Sequence, residues 1–277
     1  MRIPFLHAAA ITFLLMGAAG LLIREIALQP DGHLHAHVLS IGQGDSILLV
    51  SPSGAQILVD GGVDLSPLEE IGKRMPFFDR TIELVVLTHP NTDHMTVFPE
   101  LLKRYTVKQV LLSGVQFKLG LYEAMLEEID HAGIPVILAD PSKDIVFDDG
   151  LILDIIWPPE TTFGSEPKEL NDVSIVLRAM FGTGSILLTG DIEEPAESRI
   201  LASGADVRST VLKVAHHGSR TSSTTGFLLA VDPKLAVMSL GAGNSYGHPH
   251  PDVLDRFRHF GIPVQRTDLD GSVEIVF

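Results

Sequence analysis

The sequence has no cysteine. Disulfides and thiolate metal sites are thereby excluded, so a metal could be held only by nitrogen and oxygen. Positive charge is also scarce: 20 Lys and Arg stand against 35 Asp and Glu, for a formal net charge of −15. Such a balance opposes non-specific attraction to a polyanion, because phosphate binding is driven by lysine and arginine. Nucleic acid must then be held locally, where a metal pair would supply positive charge that the residue count omits. Apolar residues are plentiful, and 277 residues at 45% hydrophobic can bury the core of one layered α/β domain.

Residues 3–23 are apolar apart from His7 and Thr12, with Arg2 before them and Arg24-Glu25 after. About 20 such residues span a bilayer, which favours an uncleaved anchor. Gly17-Ala18-Ala19 offers a small-residue cleavage site, so a signal peptide is the alternative. The amino terminus and Arg2 predict a cytoplasmic start and an exported domain, membrane-anchored or secreted. Gln29-Pro30-Asp31-Gly32 reads as a linker. The expected boundaries are 1–28 for the anchor or signal, 29–35 for the linker and 36–277 for the domain.

Within that domain, residues 35–38, 46–51 and 56–60 form a strand meander that starts one sheet of a sandwich. His33, His35 and His37 alternate, so they share one strand face and are expected to be solvated rather than a metal tract. Helices are predicted over 99–105 and 120–132, the second from the spacing of Leu121, Met125 and Ile129. Strands are predicted at 109–112 and 135–138, and a strand pair within 147–157. Residues 158–170 contain Pro158, Pro159 and Pro167 and read as an exposed loop near the site mouth. Strands at 173–179 and 185–189 flank Phe181-Gly182-Thr183-Gly184, a hairpin turn. Strands at 211–215 and 236–240, a helix opening at Pro251 and a strand closing at Val276 complete the chain.

Four stretches carry chemistry. In Glu83-Leu84-Val85-Val86-Leu87-Thr88-His89-Pro90-Asn91-Thr92-Asp93-His94, a short buried strand ends in two imidazoles, a carboxylate and a carboxamide within six residues. Pro90-Asn91 favours a tight turn, so His89, Asn91, Asp93 and His94 project toward a common point suited to zinc or a similar divalent ion. Asp191 ends the second hairpin strand, where a carboxylate can bridge two cations or cap the helical run to Leu201. His216 and His217 precede a Gly-Ser turn and can give one metal contact and one proton donor, in an order the sequence leaves open. His248 lies on a strand-to-helix loop as a metal ligand or substrate contact.

Together, His89-x-Asn91-x-Asp93-His94, Leu188-Thr189-Gly190-Asp191, Lys213-x-x-His216-His217-Gly218-Ser219 and Asn244-x-Tyr246-Gly247-His248-Pro249 resemble the metallo-β-lactamase fold hydrolases. More narrowly, they resemble the extracytoplasmic hydrolase domain of the ComEC/Rec2 competence proteins. Ser40-Ile41-Gly42-Gln43-Gly44-Asp45-Ser46 and Leu58-Val59-Asp60-Gly61-Gly62 fit the same family, and the resemblance covers about residues 36–277.

The resemblance implies a four-layer αββα sandwich with one or two divalent ions, zinc or manganese, that activate water. Asp93 would orient the nucleophile and hold one metal. His89, His94 and Asp191 would fill most of the shell with Asn91, with His216 or His217, and with His248, while Asp60 braces the ligand loop. Three departures stand out. Asn91 occupies a place where relatives carry His or Asp, Met95-Thr96 replaces a glycine pair, and Asn171-Asp172 holds the place of a histidine ligand. The implied substrate is a nucleic acid or another phosphodiester, and DNA uptake would need a separate transport partner. A hydrolase of small esters, amides or lactones, and a non-catalytic binding module supported by Asn91, are the alternatives.

Overall fold

The computed structural model describes residues 3–277. Arg2, which bears on topology in the sequence, lies outside the described residues. Helix α1 (Ile3–Ala27) leads, and its Ala10–Ala27 stretch has a mean hydropathy of 1.7 with none of it buried. Strands β1 (His35–Val38), β2 (Ile47–Val50) and β3 (Gln56–Val59) form an antiparallel meander. Helix α2 (Ser66–Arg74), the short β4 (Thr81–Ile82) and β5 (Leu84–Leu87) follow. Next come α3 (Thr92–Met95), α4 (Phe98–Arg104), β6 (Thr106–Val107), β7 (Val110–Leu112), α5 (Gly120–Ala132) and β8 (Val136–Leu138).

The second half repeats the plan with β9 (Ile145–Val146), β10 (Ile152–Trp157), β11 (Val176–Phe181) and β12 (Gly184–Leu188). Helix α6 (Glu194–Ser203), β13 (Val211–Lys213), α7 (Thr225–Val231), β14 (Leu235–Met238), α8 (Pro251–His259) and β15 (Val264–Arg266) continue it. After α9 (Thr267–Asp270), β16 (Val273–Val276) returns to pair with β1. The result is two seven-stranded sheets, β16-β1-β2-β3-β5-β7-β8 and β15-β14-β13-β12-β11-β10-β9.

Alternation along the strands assigns every apolar side chain to one of three layers. Ile47, Leu49, Ile57, Val59, Leu84 and Val86 meet Leu153, Ile155, Leu177, Ile186 and Leu188 between the sheets. Their neighbours Leu48, Leu58, Val85 and Leu87 face the other way, onto Ile71, Leu101, Met125 and Ile129 of α2, α4 and α5. Leu187, Leu212, Ala236 and Met238 pack against Ala196, Ile200, Phe227 and Phe257 of α6, α7 and α8. Helix, sheet, sheet and helix are thus stacked as an αββα sandwich. Central strands buried on both faces read as unbroken apolar runs, which is why Leu84-Val85-Val86-Leu87 shows no alternation in sequence.

Three expectations need correction. His37 is not solvated: its side chain is 12% exposed, because Glu274 of β16 and Arg74 at the end of α2 crowd it. The loop at 158–170 lies against Gly114 and Leu138 through Phe163, and none of its residues lines the cleft described below. Asp191 does not cap α6, whose N-cap is Glu193. Sequence reasoning also misses α2, although Ser66-Pro67 and an amphipathic stripe mark it, and it misses β15 and the β4–β6 pair, which are too short to show a pattern.

Candidate metal centre

The chemistry collects where strands of both sheets end, the usual place for a site in an open α/β sheet. From the first sheet, the turn after β1 brings Asp45, the end of β3 brings Asp60, and the end of β5 brings His89 through His94. From the second, β12 delivers Asp191, β13 delivers His216 and His217, and β14 leads to His248. The loops interlock closely. A Cβ on Gly44 would stand 2.1 Å from the carbonyl oxygen of Asp93, so glycine is required where these two loops touch. Asp60, His216 and His217 all hold positive φ, at 61°, 49° and 54°, uncommon for non-glycine residues and concentrated here at the site.

Four donors converge. One ligand atom each from Asp93, His94, Asp191 and His217 lies within 4.8 Å of the others. His94 Nε2 is 3.3 Å from Asp191 Oδ2 and 4.0 Å from Asp93 Oδ2. His217 Nε2 is 3.4 Å and 3.6 Å from the same two oxygens. Each imidazole is oriented from behind. Asp60 Oδ2 accepts from His94 Nδ1 at 2.8 Å while its carboxylate also accepts from the Thr88 amide and hydroxyl. His217 Nδ1 donates to the Ser239 carbonyl at 2.9 Å, with Asp45 Oδ1 3.3 Å away. Both rings therefore turn Nε2 toward the carboxylates, the arrangement of imidazoles that ligate a cation.

The residues fit a divalent ion on two independent grounds. His89 Nε2, His94 Nε2, His217 Nε2 and Asp191 Oδ1 are buried without a hydrogen-bond partner among the described residues, although such atoms normally find one. The electrostatics agree. Burial opposes charge on His94 and His217, yet Asp191 with Asp60 or Asp45 holds both imidazoles well above their ordinary range. Burial likewise opposes the Asp191 carboxylate, and His217 and His94 still hold it well below the usual range. The pocket demands compensating positive charge, which protons provide here and a cation would provide equally.

His89 differs: burial and then His94 push it down to about 3, so it offers a neutral lone pair. Its ring lies 4.2 Å from that of His94, and Asn91 with the unpartnered Asp191 Oδ1 offers donors for a second position in the adjacent cleft. There, Asn91 Nδ2 donates to Asn171 Oδ1 at 3.1 Å, and Asn171 Nδ2 donates to Glu193 Oε1 at 3.1 Å. Two neutral carboxamides thus occupy one wall of that position. His216 stands at its rim, with Nε2 3.9 Å from Asp191 and Nδ1 3.2 Å from Glu193. His248 lies beyond His216, ring centres 5.6 Å apart, and stacks on Tyr246 at 5.8 Å. Asn91, Asn171, His216, Tyr246 and His248 line one cleft of about 160 Å³ with Gln43, whereas His89 and Glu193 do not.

Of the residues singled out in the sequence, Asp93, His94, Asp191 and His217 are brought together. His89 and Asn91 stand beside them, and His216 and His248 line the mouth. Met95, in place of a glycine, turns away into the core beneath α4 and α5. Sequence reasoning assigned no role to Asp45 and Lys213. Lys213 is fully buried and its Nζ donates to Asp45 Oδ2 at 2.5 Å, which fixes the carboxylate that faces His217. A lysine inside Val211-Leu212-Lys213-Val214-Ala215 was the available signal, since a charge in a buried strand requires a partner.

Comparison with known proteins agrees with this geometry. The model of the metallo-beta-lactamase superfamily matches residues 39–242. ComE operon protein 3 of Bacillus subtilis is 29% identical over 255 residues, covering 86% of this chain and 32% of that protein. Recombination protein 2 of Haemophilus influenzae is 28% identical over 244 residues, covering 86% of this chain and 28% of that protein. The chain thus spans about a third of the length of these relatives. Igni18, a metallo hydrolase of the archaeon Ignicoccus hospitalis, shares the fold at a TM-score of 0.55 and 17% identity, over 88% of this chain and 99% of its own.

Proposed function

Because the chain belongs to the metallo-beta-lactamase superfamily, we propose that it is a metal-dependent phosphodiesterase or nuclease of the competence type, acting outside the cytoplasm. The observation that carries this reading is the convergence of orphaned buried donors from both sheets on one point. Asp93, His94, Asp191 and His217 would hold one divalent ion, with His89, Asn91 and Asp191 beside a weaker second position. Such an ion supplies Lewis acidity and lowers the pKa of water.

The chain's own residues do the rest. Asp60 fixes the tautomer of His94 and the Ser239 carbonyl that of His217, so both turn Nε2 toward Asp93 and Asp191. Asp93 is the most open of the four donors, with its side chain 25% exposed, and is placed to orient a water. His248 is pushed down to about 4 by burial and by His216 and His217, so it is neutral near pH 7 and serves as an acceptor for substrate. His216, partly exposed beside Glu193, is then the candidate proton donor to the leaving oxygen. No unpaired lysine or arginine lines the cleft, so the negative charge of a phosphodiester must be met chiefly by metal.

The likeness to competence proteins along most of the chain supports the substrate class over small esters, amides or lactones. The Asn91–Asn171 pair favours a second reading, an enzyme with one strong metal position or a binding module without catalysis. Elemental analysis of purified protein, coupled to hydrolysis of single-stranded DNA and of a generic phosphodiester, decides. Metal content with cleavage supports the enzyme; metal without cleavage of either substrate refutes the phosphodiesterase. The extracytoplasmic placement rests on α1 and is tested by protease shaving of intact and outer-membrane-permeabilised cells, where protection of residues 36–277 in both refutes it.

A further inference from the structure

We propose a second cation site, for zinc or a similar divalent ion, built by His35, His37 and Glu274 on the paired strands β1 and β16. None of these residues lines the metal centre. His37 is directly opposite Glu274 in the antiparallel register, and His35 lies two residues back on the same face. The two imidazoles stack at 6.1 Å with planes 17° apart. Glu274 Oε1 lies 2.8 Å from His35 Nδ1 and 4.0 Å from His37 Nε2. The three donor atoms fall within 4.8 Å of one another, near the ~3.4 Å spacing that bonds of about 2.1 Å to one tetrahedral ion require.

Two further features separate this cluster from an ordinary surface network. Asp31 Oδ1 sits 3.1 Å from His35 Nε2, on the side of the ring away from Glu274. A carboxylate behind the distal nitrogen is the usual support of a ligating histidine, because it fixes the tautomer and aims the other lone pair. Second, His37 is largely enclosed, its side chain 12% exposed, so its ring is held in place facing Glu274.

The nearby cations do not take the place of the ion. Arg74 Nη1 is held by Glu70 at 2.7 Å, and Lys73 by Glu69 and Glu70 at 2.8 and 2.7 Å, so neither is ion-paired to Glu274, although the Arg74 charge is near enough to act on it. The cluster opens into a cleft of about 400 Å³ whose other wall is the end of α1 and the linker, including Ala27 and Pro30. An ion here would tie Asp31 of the linker, through His35, to the edge of the first sheet. The alternation that looked like a solvated strand face thus becomes a ligand set once β16 supplies the carboxylate.

The test is calorimetric zinc titration of the full chain, of Asp191→Ala, and of Asp191→Ala combined with His37→Gln. Asp191→Ala is expected to keep one zinc equivalent, which the double variant weakens at least 100-fold. His37→Gln alone is expected to lose one equivalent while cleaving phosphodiester at the wild-type rate. Glu274→Gln, at an exposed position of near-identical size, gives the same answer should His37→Gln fail to fold. Identical zinc binding by Asp191→Ala alone, by Asp191→Ala with His37→Gln and by Asp191→Ala with Glu274→Gln overturns the site and leaves the cluster an ionic network only. Failure of the proposed enzymatic function would show instead as absent hydrolysis with zinc binding intact.

Discussion

Asn91 is the residue at which the second metal position can be rebuilt by one atom. In the wild type its amide donates to Asn171 Oδ1 at 3.1 Å, so its own oxygen is the sole donor it can turn to a cation. Asn91→Asp removes that N–H, costing about 1 kcal/mol for a neutral hydrogen bond, and sets two acceptors face to face. Asn171 can answer by rotating its amide, giving up Glu193 and donating to the new carboxylate. Against this loss stands an added anionic oxygen, a far better ligand for a divalent cation than a neutral carboxamide. Each increment of about 1.4 kcal/mol by which that gain exceeds the loss is a tenfold rise in affinity at the weaker position. Titration calorimetry with manganese and zinc, carried out on His37→Gln protein so that the β1–β16 cluster does not contribute, should show one strong and one weak site when Asn91 is present, converging in Asn91→Asp, with phosphodiester hydrolysis rising in parallel. Asn91→His should favour zinc over manganese. Two equal tight sites with Asn91 present in that background would refute the reasoning, and absence of metal from both proteins would favour the binding module.

Other expectations follow from the same contacts. Asp191→Ala removes the carboxylate shared by His94 and His217, so the equivalent of metal held at this centre, measured by elemental analysis, and hydrolytic activity should both be lost, by ~100-fold or more in affinity and rate, while any equivalent held by His35, His37 and Glu274 stays; unchanged stoichiometry would remove Asp191 from the ligand set. Asp60→Asn keeps the shape but weakens the hold on His94, and a 10–100-fold loss of metal affinity is expected in the same titration, with the melting temperature as a control for folding. Glu70 reports on acid stability: burial opposes its charge, but Lys73, Ser272 and Arg74 bring its carboxyl down to about 2 from 4.5. A depressed folded-state value stabilises above about pH 4.5 and is lost as pH falls toward 2. Glu70→Gln should therefore cost ~1 kcal/mol at pH 7 after solvent screening and nothing near pH 2, as checked by denaturant melts at both values.

The layered fold was legible where burial leaves a periodic mark. Residues 120–132 match α5 in full, and the hairpin around Gly182-Thr183 is where the glycines put it. Strand β15 escaped because three residues give too few alternations to stand out. The loop after β5 was legible because histidine and aspartate are dense in it. Which of His216 and His217 turns inward was not, because it depends on left-handed backbone at both and on partners, Ser239 and Asp45, far away in sequence. The amide pair of Asn91 and Asn171 was hidden for the same reason, since eighty residues separate its members.

The donors around the centre come from the two sheets in nearly equal shares: Asp93 and His94 hang from the first, Asp191 and His217 from the second. A cation held by all four is therefore a cross-brace between halves of the chain that otherwise meet through an apolar core and a few polar contacts such as Lys213 with Asp45 and Ser239 with the Gly44 carbonyl. Occupancy of the site would set the relative alignment of the halves and, at a hundredfold excess over Kd, add about 2.7 kcal/mol to the stability of the whole domain. The same atoms that would activate water would thus also report, through the melting temperature, how much ion the surroundings of the protein contain.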